Sequence, residues 1–472
     1  MLTGGAVFIF GVGAAAKRSS KNLLFILTII TLISAALMAL FIHGESPTFS
    51  GMLDTGSYAR CFDVLFAVTA LLSLLFSHRH AGLQSVAGDE FYGLVICAVL
   101  GMSLIAGAVH WLIFFLGFEL LSLAFYVLIA ACQNDSGYEA ALKYMVMGMV
   151  SSGFLLFGIA MLYSATGSLQ LAASLGASVP SGQSAGSPAA LLALALILTA
   201  AGFKVSLAPF HLWTPDVYQG APAPVTAFLT TGSKAAVFAG LLRILLLTSG
   251  WLWAHCTPVL WMLAAVTMFA GNIAALTQTR MKRLLAYSAV AQMGYAAMGL
   301  MAAKSDGGLS VIFYLSAYAL MDLGAFGVIA TCSASADADT DALDQFQGFG
   351  YSHPWQGAML TICLLSLAGL PPTAGFMGKF FIFRDVLKAH YTGLAILGII
   401  AAILSLYIYL KVIVTLYMRP GAESGPAIPV EIRDGGFGTA ARWAFAVIAF
   451  GVLWLGLFPS FWLTVIARMT VS

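Results

Sequence analysis

The chain has 472 residues, of which 61% are apolar and only 8% are Asp, Glu, Lys or Arg, where a soluble protein carries about a quarter. A mean hydropathy of +0.96, with 33 Phe and 19 Met, excludes a soluble globular protein, because most of the surface must face hydrocarbon. The formal charge of +2 gives no basic surface for nucleic acid, so partners are to be sought in the lipid bilayer.

Apolar runs predict spans near 1–16, 23–43, 61–77, 91–109, 111–132, 143–166, 189–210, 223–249, 257–277, 281–303, 309–332, 354–390, 392–418 and 440–463, each around the roughly 20 residues that cross a bilayer. This reads as an all-α polytopic membrane protein of about fourteen transmembrane helices, with no separate soluble domain. The first run is followed by Lys17, Arg18 and Lys21, the reverse of a cleavable signal peptide, and is expected to stay in the mature protein. The run at 354–390 is too long for one straight helix, and Pro371-Pro372 followed by Gly375 and Gly378 marks a break in it. Pro209 interrupts the 189–210 run in the same way.

The broken spans are the seventh and the twelfth, five apart. Spans 4–8 and 9–13 then form two five-helix units of opposite membrane orientation, the inverted-repeat pattern of secondary transporters. The expected organisation is 1–90 for spans 1–3, 91–249 for the first repeat, 257–418 for the second, inverted repeat and 440–472 for the C-terminal span. Strict alternation puts Lys17, Arg18, Lys21, Arg79, Arg280, Lys282 and Arg283 on one side, expected to be cytoplasmic. Both termini then lie outside, the 333–353 loop inside, and the Ser/Gly/Ala-rich 167–188 segment is a flexible outer loop.

Ionisable groups inside such spans are costly and mark function. Glu119, in HWLIFFLGFELLSLAFYVLIA, stands eight residues into its span, roughly 12 Å deep. Lys204 lies in LTAAGFKVSLAPFHLWTPDVYQGAPAPV, five residues before Pro209, with snorkelling as the alternative reading. His211, just after that proline, reads equally as a loop-edge histidine or a proton relay. Lys234 is near the middle of its span and Lys379 just beyond the second break, and both are expected to line one polar interior. Lys143, Arg243 and Lys411 are nearer helix ends, where snorkelling or structural pairing competes. Asp322 is deep and has no assigned role.

The six cysteines are scattered, with no CxxC or Cys/His cluster, so disulfide frameworks, zinc and iron–sulfur ligation lack support. There is no GxGxxG, Walker or haem-ligand pattern, and the chain must run on an ion gradient or be driven by a partner. One acid and several lysines in a wet, low-dielectric interior suit proton transfer. A carboxylate moving from about 4 Å to about 10 Å from an ammonium weakens the attraction from roughly 4 to roughly 1.7 kcal/mol at an effective dielectric of 20.

The stretch GFKVSLAPFHLWTPDVYQGAPAPVTAF from Gly202 resembles the proton-conducting, antiporter-like membrane subunits of respiratory complex I, and most of all the subunit N family of NADH-quinone oxidoreductase. LGFELLSL around Glu119, EAALKYM around Lys143, TRMKRLLAYSAVAQMGY from Thr279 and SLAGLPPTAGFMGKF ending at Phe380 carry the same resemblance over about residues 90–415. It implies fourteen helices, two inverted five-helix repeats and a polar axis through the membrane. The resemblance implies that Glu119 is the acidic end of the channel, Lys204 the broken-helix lysine, Lys234 the connecting lysine and Lys379 the exit-side lysine, with Lys143 in support; His211 is added as a supporting candidate from its place after Pro209. Relatives often carry His at Gln292 and Asn at Asp322.

The resemblance further implies that this chain binds no cofactor or metal, with NADH, FMN, iron–sulfur clusters and quinone held by partner subunits. Neighbouring antiporter-like and small membrane subunits of the complex are the implied partners, in the bacterial inner membrane. Two other readings remain open at this point: an Mrp-type cation/proton antiporter subunit, and a structural membrane anchor without transport of its own.

Overall fold

The computed structural model describes residues 1–15, 21–41, 49–78, 80, 82–83, 90–176, 188–306, 308–332, 341–418 and 439–471. Lys17, Arg18, Arg79, residues 177–187 of the expected outer loop and 333–340 of the expected inner loop lie outside the described residues.

The described chain is helical: α1 (Leu2–Ala15), α2 (Lys21–Phe41), α3 (Ser57–Ser77), α4 (Glu90–Gly107), α5 (Trp111–Ile129), α6 (Asp135–Thr166), α7 (Pro188–Lys204), α8 (Thr214–Gly220), α9 (Ala223–Leu247), α10 (Gly250–Leu276), α11 (Met281–Asp306), α12 (Leu309–Cys332), α13 (Pro354–Ala368), α14 (Ala374–Lys388), α15 (Thr392–Tyr417), α16 (Thr439–Leu457) and α17 (Pro459–Val471). Eleven of these are long and apolar enough to cross a bilayer, and α1, α7 and α13 are shorter apolar helices. Together they account for the fourteen expected runs, with α7–α8 and α13–α14 as the two discontinuous ones. The buried centre is α9, α11 and α12, whereas α2 and α6 turn Leu23, Ile30, Leu142 and Phe157 outward, as lipid-facing spans require.

Several boundaries differ from the sequence reading. The sixth span starts at Asp135 rather than 143, because the Asn134 side chain caps its N-terminus by accepting from Gly137 N–H at 3.0 Å. The seventh ends at Lys204 rather than 210. The last span stops at Leu457, and Pro459 opens the separate helix α17, since proline fits the first turn of a helix and cannot continue one.

The two five-helix units share one register. Gly101 of α4 packs so closely on α5 that an added Cβ would meet Gly117 O and Leu121 N, and Gly271 of α10 meets Tyr287 O and Ala291 N of α11 in the same way. All three positions of the second set lie 170 residues after those of the first. At helix starts the isolated backbone pair His110–Gln170 is matched by Arg280–Ala342. The first pair adjoins the end where Arg243 reaches Asp54 and the carbonyls of Ala106 and Ala108. The second lies at the other end, where Arg283 reaches Asp216 at 2.7 Å. Equivalent elements therefore sit at opposite ends of the bundle, which is what inversion means.

Candidate functional site: a buried lysine axis between two helix breaks

At the first break α7 stops at Lys204, Ser206 adopts a positive φ of 62°, and Pro209 has no N–H to continue the ladder. The freed backbone groups are taken up by protein: Phe203 O accepts from Trp213 Nε1 at 3.0 Å, and Ala208 N–H donates to Thr267 Oγ1 of α10 at 2.9 Å. Irregular backbone at membrane depth persists only under such cover. Lys204 is 1% exposed, so it does not snorkel. Its Nζ donates to Ser122 Oγ at 2.6 Å and lies 5.2 Å and 4.8 Å from the ring centres of Phe118 and Tyr144.

Glu119 stands one turn before Ser122 on α5, half-buried, with Oε1 buried and without a hydrogen-bond partner among the described residues. The lysine's hydrogen bond goes to Ser122, and the carboxylate acts on it through space.

Lys234 follows directly on a π-helical turn, Leu229–Ser233, inside α9; such bulges insert a residue and recur at functional sites. Its Nζ is buried without a hydrogen-bond partner among the described residues and lies 5.4 Å from the Tyr218 ring centre. Ring contacts join it to Lys204, through Tyr144–Trp213 at 4.8 Å and Trp213–Tyr218 at 6.2 Å. Beyond it, Asp322 of α12 is wholly buried and accepts from Tyr318 OH at 3.2 Å.

At the second break α13 ends at Ala368, and Gly369, at φ +85°, turns the chain. Only glycine adopts that conformation without steric cost. Gly375 and Gly378, which the sequence reading placed at the break, lie inside α14, where the first touches Ser366 O and the second the Tyr314 ring. Their role is close packing of the half-helix. Lys379 donates to Leu367 O at 2.8 Å and Ala368 O at 3.3 Å, 4.8 Å from the Tyr295 ring centre. Gln292 of α11 donates to the same Leu367 O at 3.1 Å and to Tyr409 OH at 2.9 Å, and accepts from Tyr314 OH.

The structure thus brings Lys204, Lys234 and Lys379 into one interior, with Glu119 at its α5 end. The hydroxyls of Tyr144, Tyr218 and Tyr295 are buried there without a hydrogen-bond partner among the described residues. Lys143 and His211 lie elsewhere. Lys143 is at a bundle end, 43% exposed, in a cavity of about 270 Å³ with Glu139 at 2.7 Å and Asp216 at 3.0 Å. Partial burial pulls the Asp216 carboxyl upward, but the hydrogen bonds from Lys143 and Arg283 outweigh it and hold the group below the usual carboxylate range. His211 is half-buried against Tyr287, 6.5 Å between ring centres.

Sequence reasoning missed Ser122, Tyr144, Tyr218 and Tyr318, and the partnership of Asp322. Tyr144 and Tyr218 stood in EAALKYM and HLWTPDVYQGAPAPV, where a tyrosine beside a lysine or a helix break inside an apolar run was the available signal.

Comparison with known proteins agrees with this geometry. Residues 108–405 match the family model described as NADH:quinone oxidoreductase/Mrp antiporter, TM. The chain is 47% identical to NADH-quinone oxidoreductase subunit N 1 of Solidesulfovibrio magneticus over 88% of its length and 87% of that protein's. It belongs to the subunit N family. The fold of this subunit N family member is also that of a chain in respiratory complex I from Thermus thermophilus with bound aureothin, at a TM-score of 0.81 and 34% identity over 98% of this chain and 97% of that one. A chain of the Mrp complex from Dietzia matches with a TM-score of 0.85, covering 100% and 96%, but at 19% identity it shares the fold alone. Subunit N proteins are multi-pass membrane proteins, as the helices of this one require.

Proposed function

We propose that this chain translocates protons in the membrane arm of NADH-quinone oxidoreductase, alongside other subunits of complex I, including neighbouring antiporter-like and small membrane subunits. The observation that carries the reading is the set of three lysines, each at most 5% exposed, each beside an interruption in a helix: the end of α7, the π-turn of α9 and the break before α14.

Burial disfavours the charged form of a lysine, and the half-buried Glu119 supplies a movable counter-charge at one end. Its approach to Lys204 favours loading of a proton and its retreat favours release. Lys234 carries the charge onward and Lys379 delivers it at the second break. Lys143 supports the axis from the bundle end by holding α6 to α8 through Asp216, and His211 stands beside the first break. Electron transfer from NADH through FMN and iron–sulfur clusters to quinone belongs to partner subunits, and this chain contributes a non-redox, translocating part. The bundle end with Arg280, Lys282 and Arg283 faces the cytoplasm of a bacterial inner membrane, and both termini face the periplasm.

Neutralising Glu119 or Lys234 singly, as Glu119→Gln and Lys234→Met, tests the proposal against an anchoring role. In assembled complex, proton translocation per NADH oxidised should fall for each. An anchor predicts the wild-type ratio in both.

A further inference from the structure

The mechanism above uses one acid, yet a second is buried deeper. Asp322 is wholly buried on α12, and Oδ1 has no hydrogen-bond partner among the described residues. Its other oxygen accepts from Tyr318 OH at 3.2 Å, and Tyr318 OH shares a hydrogen bond of 2.7 Å with Thr230 Oγ1. Thr230 belongs to the π-turn that immediately precedes Lys234. The lysine is likewise buried without a hydrogen-bond partner among the described residues, and the two groups are close enough to interact through space. A buried charge left without a partner is costly, and breaking a buried pair is worse than never having one.

The arrangement repeats that of the first unit's site with the parts exchanged between helices. There a lysine at a helix interruption has an acid one turn from its hydrogen-bond partner on the neighbouring helix. Here a lysine at a helix interruption has an acid on α12, tied by Tyr318 to the interruption itself.

Resting on the proton-translocation reading, we infer that Asp322 is the counter-charge of Lys234. The two form a second acid–lysine element in mid-membrane, and the Thr230–Tyr318 link makes their separation depend on the π-turn. Among the described residues, the other titratable groups around the pair are Tyr218 of α8, Tyr318 on the same helix, Cys363 of α13 and Tyr409 of α15. Each is neutral when protonated, so the acid and the lysine are each other's charged partner. A change of π-turn to regular α-helix would turn Lys234 about its axis and pull on Tyr318 together, coupling backbone state to the pairing of charges.

The test uses the intact complex in membrane vesicles, with assembly followed on native gels. Asp322→Asn keeps the size and an acceptor for Tyr318 and removes only the charge. In this chain it should lower proton translocation per NADH below the wild-type ratio, although relatives often carry Asn here, and Asp322→Glu should restore a substantial part. Asp322→Asn combined with Lys234→Gln should do no more harm than the worse single change, because the two residues act as one unit. If the unpaired ammonium stops Asp322→Asn from assembling, the double change should recover assembly. Wild-type pumping by Asp322→Asn, multiplied rather than shared losses in the double variant, or an assembly defect that Lys234→Gln does not relieve would each overturn the pairing. Lys204→Ala in parallel separates this inference from the reading beneath it. Loss of pumping there with wild-type pumping in Asp322→Asn sinks the pairing alone, whereas wild-type pumping in Lys204→Ala sinks the lysine axis.

Discussion

Lys379 donates its Nζ to the carbonyl of Leu367 at 2.8 Å, and Leu367 stands at the end of α13 where Lys204 stands at the end of α7. The two repeats therefore place a buried ammonium at equivalent breaks by opposite means. In the first unit the lysine lies before the break and uses a hydroxyl on the neighbouring helix. In the second it lies after the break and reaches back to the carbonyls that the break has freed.

This difference predicts unequal structural costs. Lys379→Met leaves Leu367 O with Gln292 as its remaining side-chain donor and takes the side-chain donor from Ala368 O, at about 1–3 kcal/mol for a stranded buried group. Lys204→Met leaves Ser122, whose hydroxyl already donates to Phe118 O at 2.6 Å, so little is stranded. Thermal dissociation of the assembled complex should show a clear loss for the first and a small one for the second. Equal losses would mean that the carbonyl contacts add nothing.

Gln292 joins Tyr314, Tyr409 and the Leu367 carbonyl in one buried network. Gln292→Leu strands the Tyr314 hydroxyl, whereas Leu367 O keeps Lys379 and Tyr409 OH keeps Ser288, and a cost of about 1–3 kcal/mol is expected for the group left unpaired. Gln292→His supplies at most one donor and one acceptor when neutral, so it should be milder yet still destabilising. Assembly yield and thermal stability check the order wild type, His, Leu.

Gly375 approaches Ser366 O so closely that a Cβ has no room. Gly375→Ala should push α14 off α13 and carry Lys379 away from Leu367, lowering both assembly and proton translocation. Gly153→Ala is the control, since a Cβ there meets nothing within 4 Å and alanine favours the helix by roughly 1 kcal/mol.

Topology has its own test. Thr279 and Gln170 are exposed beside the two equivalent backbone pairs at opposite ends of the bundle. Thr279→Cys should be labelled by an impermeant thiol reagent from the cytoplasm and Gln170→Cys from outside. The reverse pattern would invert the proposed orientation, and labelling of both from one side would contradict the inverted repeat.

Much of this was legible in the sequence because hydrocarbon makes strong demands. Runs of apolar residues predicted helices, Pro209 and Pro371-Pro372 predicted breaks, and Lys204, Lys234 and Lys379 in such runs pointed to a polar interior, although Pro258 sits inside the unbroken α10. What was not legible depends on details that periodicity does not carry. The π-turn before Lys234 leaves no mark in LTTGS, and the glycine that turns the second break is Gly369 rather than Gly375 or Gly378. That Lys204 bonds Ser122 rather than Glu119 depends on how α5 faces α7. Lys143 pairs with Glu139 and Asp216 at the bundle end, the structural pairing that its place near a helix end allowed. The offset of 170 residues that relates Gly101, Gly117 and Leu121 to Gly271, Tyr287 and Ala291 rests on close backbone contacts, and those are visible only once the helices are packed.

The central claim is that Lys204 takes up and gives back a proton. Lys204→Arg tests it most directly, since guanidinium keeps the charge but does not release a proton in proteins. The measurement is proton translocation per NADH oxidised in vesicles, on complex whose assembly is confirmed. The account predicts that Lys204→Arg assembles and pumps as poorly as Lys204→Ala. Arginine that restores the wild-type ratio would show that Lys204 serves as a fixed charge, and that proton exchange at this residue is not part of the mechanism.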